Sequence, residues 1–384
     1  MKKQWQAASQ VIEKIEQAGF EAVFVGGAVR DTLLNRPFHD VDVATSALPL
    51  EVKRIFCKTV DVGIEHGTIL VLDEGEPIEV TTYRTEGDYV DYRRPEVVQF
   101  VRQLEKDLQR RDFTMNALAM RRSGEIVDVY GGQKDINDRI IRAVGAPGER
   151  FTEDALRMLR AARFCAQLNF SIEKETLQAM ERHAHLLEHI AVERIAQELE
   201  KMWTSDDPMR GIQVLVNSRL ANYLAGDFEQ ISPAWRHFKT ADARDGWAYF
   251  IITADDSSLI TRYKLSNKEK NYILAVNEAF LLIQGEVPNV ALFYTDSLHL
   301  QVAARFAKWL NIDVQNITEL LKRKAAFPLA ELGELQVTGR DLMAWKGERG
   351  GPWVKKALDV ILQAVLNNEV KNDTDQIKDW FLRQ

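Results

Sequence analysis

Segments with the pattern of β-strands lie almost entirely before residue 151, and this asymmetry restricts the folds open to the chain. Apolar or alternating stretches predict strands at residues 22–25, 40–44, 67–72, 78–83, 97–101 and 126–129. Beyond residue 151 the apolar residues follow helical spacing, with almost no strand signal. We therefore predict an α+β fold, in which an N-terminal α/β domain precedes an all-helical remainder.

The composition is that of an ordinary globular protein with more than one domain. The chain has 384 residues, of which 46% are hydrophobic and 28% are charged, and this length suits about two to four domains. No apolar run approaches the roughly 20 residues that cross a bilayer, and the start of the chain, MKKQWQAASQ, lacks the apolar segment of a signal peptide. The two cysteines, Cys57 and Cys165, lack metal-binding spacing. We expect a cytoplasmic protein with no disulfide, no zinc site and no membrane contact.

The net charge of -7 weighs against a nucleic-acid partner when it is averaged over the whole chain, because phosphate binding usually depends on a basic surface. Arginines are nevertheless concentrated within residues 110–122 and 157–163. The average charge therefore does not exclude a local basic surface.

Two carboxylates lie one residue apart in the predicted strand 40–44. In a strand, Asp40 and Asp42 would share one face, whereas in a helix they would point apart. Neighbouring carboxylates repel each other, and a hard cation such as Mg²⁺ relieves the repulsion and can serve phosphoryl transfer. The pattern also fits a strand whose acidic face simply lies in solvent.

A third carboxylate, Glu79, lies in the predicted strand 78–83 and faces opposite to Ile78 and Val80. On a strand next to the Asp pair it would complete the site as a further catalytic carboxylate. A solvent-facing strand residue is an equally good interpretation.

Gly26 and Gly27 separate the predicted strand 22–25 from a predicted helix that ends near residue 35. Glycines at such a turn let backbone N–H groups approach a phosphate, and the helix N-terminus adds a favourable dipole. Arg30, one turn into the helix, could reach the same anion. The spacing differs from that of a P-loop and excludes that class, while a turn without a ligand is the ordinary alternative.

The segment 110–119, RRDFTMNALA, is predicted to enter a helix at Asp112. Asp112 would either cap this helix or, with Asn116 four residues later on the same face, bind a nucleotide by accepting a ribose hydroxyl. Arg111 would hold phosphate.

The segment 153–168, EDALRMLRAARFCAQL, predicts a helix with charged residues at a repeated three-residue interval, namely Asp154, Arg157, Arg160 and Arg163. A carboxylate beside a guanidinium offers an acceptor next to a donor. This arrangement complements the pairing edges of cytosine and adenine and mismatches those of guanine and uracil. Such a pair could accept both CTP and ATP without a template, and a charged helix in solvent is the alternative.

Taken together, these segments resemble the class II tRNA nucleotidyltransferases, the CCA-adding enzymes of the polymerase-β-like superfamily. The similarity covers roughly residues 20–205 and rests on GGAVRDTLL, DVDVATSALP, RRDFTMNALA, EDALRMLRAARF and VERIAQELEKM. The resemblance implies an α+β protein with a polymerase-β-like nucleotidyltransferase head over residues 1–148. An all-helical neck over 149–205, a body over 206–300 and a tail over 301–384 would follow it.

The resemblance also implies the roles of the site residues. Asp40 and Asp42 would bind Mg²⁺, and Gly27, Arg30 and Arg111 would hold the triphosphate. Base recognition would fall on the helix of the predicted neck, where Asp154 and Arg157 would pair with the incoming base. Arg160 and Arg163 would assist that helix or the phosphates of the nucleotide and primer.

The implied reaction is the template-independent addition of CCA to the 3′ end of tRNA from CTP and ATP. The tRNA 3′ hydroxyl would attack the α-phosphate and release pyrophosphate, and the tail would bind tRNA. These sequence features are compatible with a homodimer. The alternatives are a poly(A) polymerase, a tRNA nucleotidyltransferase that adds only CC or only A, and an inactive RNA-binding or nucleotide-sensing protein. The undeleted polar segment 84–95, predicted to be a loop, favours full CCA addition, because in the family this loop is needed for the change from C to A.

Overall fold

The structure is a computed structural model that describes residues 2–38, 40–72, 75–87, 89–90, 94–95 and 98–384. It has two compact units: the first comprises Met1–Ala243 with Ser258–Lys264, and the second comprises Arg244–Ser257 with Leu265–Gln384. None of the helices in the described ranges is long and apolar enough to span a bilayer. The finer division into head, neck, body and tail stays a prediction.

In the described part of the chain the strands all lie in the first unit, and all but β13 precede residue 151, as the sequence predicts. The strands are β1 (Ala22–Val25), β2 (Asp42–Thr45), β3 (Thr59–Gly63), β4 (Thr68–Val71), β5 (Ile78–Thr82), β6 (Arg84–Glu86), β7 (Tyr89–Val90), β8 (Arg94–Pro95), β9 (Val98–Phe100), β10 (Leu118–Met120), β11 (Ile126–Asp128), β12 (Ile140–Ile141) and β13 (Ser171–Ile172).

Helices begin before the sheet and make up most of the chain after it. They are α1 (Lys2–Gln17), α2 (Gly27–Leu33), α3 (Pro49–Ile55), α4 (Leu104–Gln109), α5 (Gly132–Asp138), α6 (Pro147–Glu153), α7 (Leu156–Leu168), α8 (Lys174–His183), α9 (Val192–Trp203), α10 (Pro208–Asn217), α11 (Phe228–Ile231), α12 (Ala243–Ala254), α13 (Leu259–Arg262), α14 (Asn267–Leu282), α15 (Asn289–Tyr294), α16 (Ser297–Leu310), α17 (Ile317–Ala325), α18 (Gly339–Lys346), α19 (Pro352–Leu366) and α20 (Thr374–Phe381). The predicted α+β fold is confirmed.

The main sheet of the first unit has the strand order β11-β10-β1-β2-β5-β4-β3. Strands β2 and β5 run parallel, whereas β1 is antiparallel to both of its neighbours. Strand β1 is fully buried, and α1 covers one face of the sheet, with Trp5 stacked on Phe24 at a ring-centroid distance of 4.2 Å. Because β1 has a partner strand on each side, the residues that follow it are held beside the first residues of β2 and β10. These strand ends form one edge of the sheet.

The helix predicted over residues 112–119 is wrong. A short 3₁₀ turn at Thr114–Asn116 leads into β10, which lies between β1 and β11. Residues 117–120 are all buried. A short apolar run has the same appearance in a buried strand and in a buried helix, so pairing with β1 decides the conformation.

The segment 84–95 is not a plain loop where the structure describes it. Strand β6 pairs with β9, with Arg84 opposite Phe100, and β7 pairs with β8. Residues 88 and 91–93 of the segment lie outside the described ranges. The prediction missed these strands because charged and polar residues masked their alternation.

The second unit contains a separate hydrophobic core formed by the last helices. Leu342 of α18, Ile361 and Val365 of α19, and Ile377 of α20 are all buried in it. Apolar residues at helical spacing bury one face of each helix, which agrees with the helical prediction for this part of the chain.

A buried ion pair joins α7 to α9 in the first unit. The Arg163 Nε donates to Glu198 Oε2 at 2.6 Å, and the two side chains are 9% and 4% exposed. Burial by itself would raise the pKa of Glu198, but Arg163 and Arg160 outweigh this effect and hold the pKa below its ordinary value. The folded state is therefore stabilised by the ionised carboxylate.

We expect Glu198→Gln to lower the free energy of unfolding at pH 7 by about 3 kcal/mol, because it leaves the buried Arg163 without its counter-charge. Since folding lowers the pKa, the carboxylate stabilises the protein fully above its ordinary pKa of 4.5. This stabilisation is lost as the pH falls through the lower folded value. Urea unfolding between pH 7 and pH 3 should show the variant and the wild type converging at the acidic end.

The matched control is Glu193→Gln on the same helix, which removes an exposed ion pair with Lys264. Its effect should stay below about 1 kcal/mol at any pH. The role of the ion pair between α7 and α9 would be contradicted if both variants lost the same free energy of unfolding. It would also be contradicted if the difference in stability between Glu198→Gln and the wild type widened in acid.

Candidate active site

Three strand ends meet at one edge of the main sheet. Val25, the last residue of β1, lies opposite both Asp42 at the start of β2 and Ala119 in β10. The glycine turn after β1 is therefore held beside Asp42 and beside the residues that lead into β10. Sequence-distant polar groups converge here because β1 pairs with both strands.

A cleft of about 1260 Å³ opens at this edge and extends to α7 and α9. It brings together most of the side chains and backbone positions that the sequence predicted for a site. Those lining it are Gly26, Gly27, Arg30, Asp40, Asp42, Arg111, Asp112, Asn116, Asp154, Arg157, Arg160 and Arg163. Glu79 does not line it.

Asp40 and Asp42 face the cleft, while Val41 and Val43 are buried. The predicted alternation is therefore present, although the strand begins only at Asp42, so the prediction that Asp40 lies within it is wrong. The backbone hydrogen bonds between β1 and β2 end where the chain turns at the glycines after β1. Asp40 therefore lies just before the first paired residue of β2. The extended backbone before the strand still keeps the same side of the chain toward the cleft.

Charge repulsion marks this acidic pair. Loss of surrounding water raises the pKa of Asp42, and Glu79 and Asp40 raise it further against the opposing effect of Arg111. A carboxylate whose ionised form is disfavoured in the bare protein, with a second carboxylate beside it, matches the preference of a hard divalent cation for negatively charged oxygen donors. The chemistry of Asp40 and Asp42 thus fits a metal ion, with further ligand positions for water and phosphate oxygens.

Glu79 lies in β5, one strand from Asp42, since Val80 is the partner of Val43 in the parallel pair. Its side chain is exposed. Within the described part of the chain no three His, Cys, Asp or Glu side chains are grouped closely enough to hold a metal. A metal ion held here would therefore depend on Asp40 and Asp42, and this role, like the catalytic role of Glu79, stays a prediction.

The glycine turn gives the cleft its close backbone approach. Gly26 has φ +74°, a conformation that side chains with a Cβ rarely adopt. A Cβ added at Gly26 would lie 3.6 Å from both Arg111 Nη1 and Asp42 Oδ2. Gly27 begins α2, whose seven residues give a weak dipole, so the arginines are the main cations at this point.

A chain of hydrogen bonds connects α2 to α7 through the turn before β10. Arg30 Nη1 donates to Asn116 Oδ1 at 2.7 Å, and Asn116 Nδ2 donates to Asp112 Oδ1 at 3.0 Å. Asp112 Oδ2 accepts from Arg160 Nε at 2.8 Å. Burial would raise the pKa of Asp112, but Arg160 and Asn116 lower it well below the ordinary value. The link between Asp112 and Asn116 survives without the predicted helix, and the ribose role of Asp112 stays a prediction.

Arg111 is held from behind by a carboxylate that sequence reasoning missed. Its Nη2 donates to Asp107 Oδ2 at 3.1 Å, and its Nη1 donates to the Asn116 carbonyl at 3.4 Å. Arg110 shares the same carboxylate. Burial would raise the pKa of Asp107, but Arg110 and Arg111 outweigh it and lower the pKa.

Asp154 and Arg157 do not lie on one helix, and in this respect the sequence prediction is wrong. Helix α6 ends at Glu153, Asp154 is extended, and α7 begins at Leu156. Asp154 Oδ1 instead accepts the Leu156 N–H at 3.0 Å. A short polar side chain that can bond the backbone N–H two residues later favours such a helix start, which explains the break.

The two residues also have separate ionic partners. Asp154 Oδ2 accepts from Arg194 Nη2 at 2.8 Å, and Arg157 Nη1 donates to Glu153 Oε2 at 2.6 Å. Both side chains line the same cleft. The structure therefore places a carboxylate and a guanidinium near each other without bonding them to each other.

Arg160 and Arg163 differ in exposure. The Arg160 side chain is 34% exposed, whereas Arg163 is buried against Glu198. Three guanidinium groups, those of Arg30, Arg160 and Arg163, surround the Phe164 ring at 5.1, 5.6 and 4.0 Å from its centroid. Cation–π contacts of this kind hold arginines whose charges repel each other.

Sequence reasoning missed Asp107, Glu153 and Arg194 as parts of the site. Arg194 lies within the quoted segment VERIAQELEKM. No local spacing connects residue 194 to residue 154, however, so only the packing of α9 against α7 reveals the pair.

Three family profiles match the chain in succession. They are the poly A polymerase head domain over residues 22–142, the probable RNA and SrmB-binding site of polymerase A over residues 169–231, and the putative tRNA nucleotidyltransferase domain 2 over residues 238–381. The match to the head domain coincides with the main sheet.

Curated relatives match over nearly the whole chain. The CCA-adding enzyme of Bacillus cytotoxicus is 42% identical over 99% of this chain and 98% of its own, and that of Bacillus cereus strain G9842 is 43% identical over 97% of both. The crystal structure of the Bacillus stearothermophilus CCA-adding enzyme in complex with CTP has a TM-score of 0.88 and 39% identity, and the match covers 100% of this chain and 98% of that one. The Thermotoga maritima CCA-adding enzyme complexed with tRNA shares the fold, with a TM-score of 0.67 and 22% identity over 98% and 94% of the two chains. The chain belongs to the family of CCA-adding enzymes, the tRNA nucleotidyltransferases.

Proposed function

We propose that the protein adds and repairs the 3′-terminal CCA of tRNA, using CTP and ATP without a nucleic-acid template. One observation carries the proposal: a single cleft contains an acidic pair, arginines beside a glycine turn, and a separate carboxylate–guanidinium set. These are the groups needed for metal, triphosphate and base. The full-length similarity to CCA-adding enzymes supports the same activity.

The 3′ hydroxyl of tRNA loses its proton and its oxygen attacks the α-phosphorus of the nucleotide. The new P–O bond forms as the bond from the α-phosphorus to the oxygen of the β-phosphate breaks, and pyrophosphate leaves with that oxygen. Enzymes of this family depend on divalent metal ions, and we propose Mg²⁺, which Asp40 and Asp42 would hold and which would supply charge neutralisation at the phosphates. Arg30 and Arg111 bind and orient the triphosphate beside the glycine turn. Positioning and charge stabilisation suffice for this chemistry, which uses no covalent nucleophile from the protein.

Base choice is assigned to Asp154 and Arg157. The Asp154 carboxylate accepts from the exocyclic amino group of cytosine or adenine, and Arg157 donates to the adjacent ring nitrogen. Guanine and uracil present the opposite pattern and would leave polar groups of the site unpaired. Unpaired polar groups in a closed site are costly, so these two bases are rejected strongly. Before a base binds, Arg194 keeps the Asp154 side chain in place and Glu153 keeps the Arg157 side chain in place.

The macromolecular partner is tRNA. We place the protein in the cytoplasm because tRNA is found in that compartment. The tail helices after residue 301 are proposed to bind tRNA, with basic residues such as Arg340 and Lys356 as contacts. A poly(A) polymerase would share the head domain, but the curated relatives quoted above are CCA-adding enzymes along their whole length.

The direct test is incubation with Mg²⁺, each nucleoside triphosphate singly or in mixture, and tRNA that lacks CCA, ends in CC, or is complete. We expect addition of C, C and A to the first, A to the second, and nothing to the third. An open-ended A tail would identify a poly(A) polymerase, and addition of only one nucleotide type would identify a partial activity.

We expect Asp42→Asn to reduce nucleotide transfer at least about 100-fold, because it removes the charge that would hold the metal ion at the reacting phosphate. Binding of tRNA, measured by gel shift, should remain within about twofold of the wild type. Asp61→Asn changes an exposed carboxylate of β3 that pairs with Lys53 and should leave transfer unchanged. Normal transfer by Asp42→Asn would rule out the acidic pair as the metal site.

We expect Asp154→Asn to weaken the preference for CTP and ATP over UTP and GTP by at least about tenfold, because an amide presents a donor where the carboxylate presents acceptors. The ratios of kcat/KM among the four nucleotides measure this preference. Glu181→Gln, outside the cleft and paired with Arg219, is the control. An unchanged preference in Asp154→Asn would remove base recognition from this residue.

A further inference from the structure

Asp107 is a buried carboxylate of α4 that lies behind the cleft and does not line it. Its side chain is only 1% exposed, whereas those of Arg110 and Arg111 are 19% and 17% exposed. A buried charge is costly unless it is fully paired. The two arginines both line the cleft, so its pairing orients groups that face a ligand.

The carboxylate uses its two oxygens for different arginines. Oδ1 accepts from Arg110 Nε at 3.0 Å and from Arg110 Nη2 at 2.8 Å. Oδ2 accepts from Arg111 Nη2 at 3.1 Å. Oδ1 also accepts the backbone N–H of Arg84 at 3.4 Å, where β6 begins.

On its other side, Arg111 is fixed against the glycine turn. Its Nη1 donates to the Asn116 carbonyl at 3.4 Å, and the same nitrogen lies 3.6 Å from the position of a Cβ at Gly26. The guanidinium is thus held between Asp107 and the turn, close to Asp42. An arginine fixed in this way loses less rotamer freedom on binding an anion than a free one does.

We propose that Asp107 is a positioning residue for the triphosphate: it fixes Arg111, together with Arg110, so that their guanidinium groups meet the β- and γ-phosphates of the incoming nucleotide. The inference rests on the proposed function, in which Arg111 binds the triphosphate. Asp107 touches no substrate, and its effect passes through the arginines.

The test compares the affinities for CTP and for CMP, measured by calorimetric titration with Mg²⁺ and without tRNA. CMP has the same base and sugar but lacks the β- and γ-phosphates, so the ratio of the two affinities isolates their contribution. The variants are Asp107→Asn and Arg111→Ala. The matched control is Asp135→Asn, because Asp135 is also a buried carboxylate of the first unit. It accepts from Arg142 and Thr114, and none of these three residues lines the cleft.

We expect Asp107→Asn to lower the CTP:CMP affinity ratio by at least about tenfold, the worth of one charge-assisted hydrogen bond. CMP affinity should be within about twofold of the wild type. The double variant Asp107→Asn/Arg111→Ala should lose less than the sum of its two single losses, since both act on one contact. Asp135→Asn should keep the ratio of the wild type even if it lowers the melting temperature.

If Arg111→Ala lowers the ratio and Asp107→Asn does not, the positioning role of Asp107 is wrong and the triphosphate site stands. If Arg111→Ala leaves the ratio unchanged, the triphosphate site itself is wrong, and the inference falls with it. Should Asp107→Asn fail to fold, Asp107→Glu keeps the charge but moves it by one methylene group. It is expected to lower the same ratio, and an unchanged ratio would again overturn the inference.

Discussion

The site depends on the pairing of three cleft arginines with carboxylates that the protein has taken out of water. Asp107 holds Arg111, Asp112 holds Arg160, and Glu198 holds Arg163. In every case the arginines lower the pKa of the carboxylate against the effect of burial. Without these anions, several like charges could not be kept within one cavity of about 1260 Å³. With them, the cleft stays ordered before a polyanionic ligand enters it.

The same pairing explains how a chain with a net charge of -7 can bind phosphates. The net charge counts every carboxylate of the chain, whereas the cleft collects arginines, and the partners of Arg111 and Arg163, which are Asp107 and Glu198, do not line it. A phosphate approaching from the open side meets the donors first, because Asp107 is buried and does not line the cleft. Asp112 and Asp154 also line the cleft, but each is bonded to an arginine. The acidic pair formed by Asp40 and Asp42 faces the same opening, and a cation between it and the phosphates removes that conflict.

Much of this architecture could be predicted from sequence, because its signals are local. Alternation placed Asp40 and Asp42 on the face opposite two buried valines, and the glycine pair marked the turn after β1. Prediction failed where a partner distant in sequence decides the conformation. Residues 117–120 form a strand because β1 and β11 pair with that segment, and Arg194, the ionic partner of Asp154, comes from α9. Pairing of this kind depends on the packing of whole elements and has no sequence period.

The proposed metal, triphosphate and base sites are parts of one cleft at the edge of the main sheet. A crystal structure of the protein with CTP and Mg²⁺ tests this arrangement most directly. The predicted result has the ion at Asp40 and Asp42, the phosphates at Arg30 and Arg111, and the cytosine edge at Asp154 and Arg157. Phosphates bound at the α7 end of the cleft with the base beside the glycine turn, or CTP bound outside the cleft altogether, would contradict it.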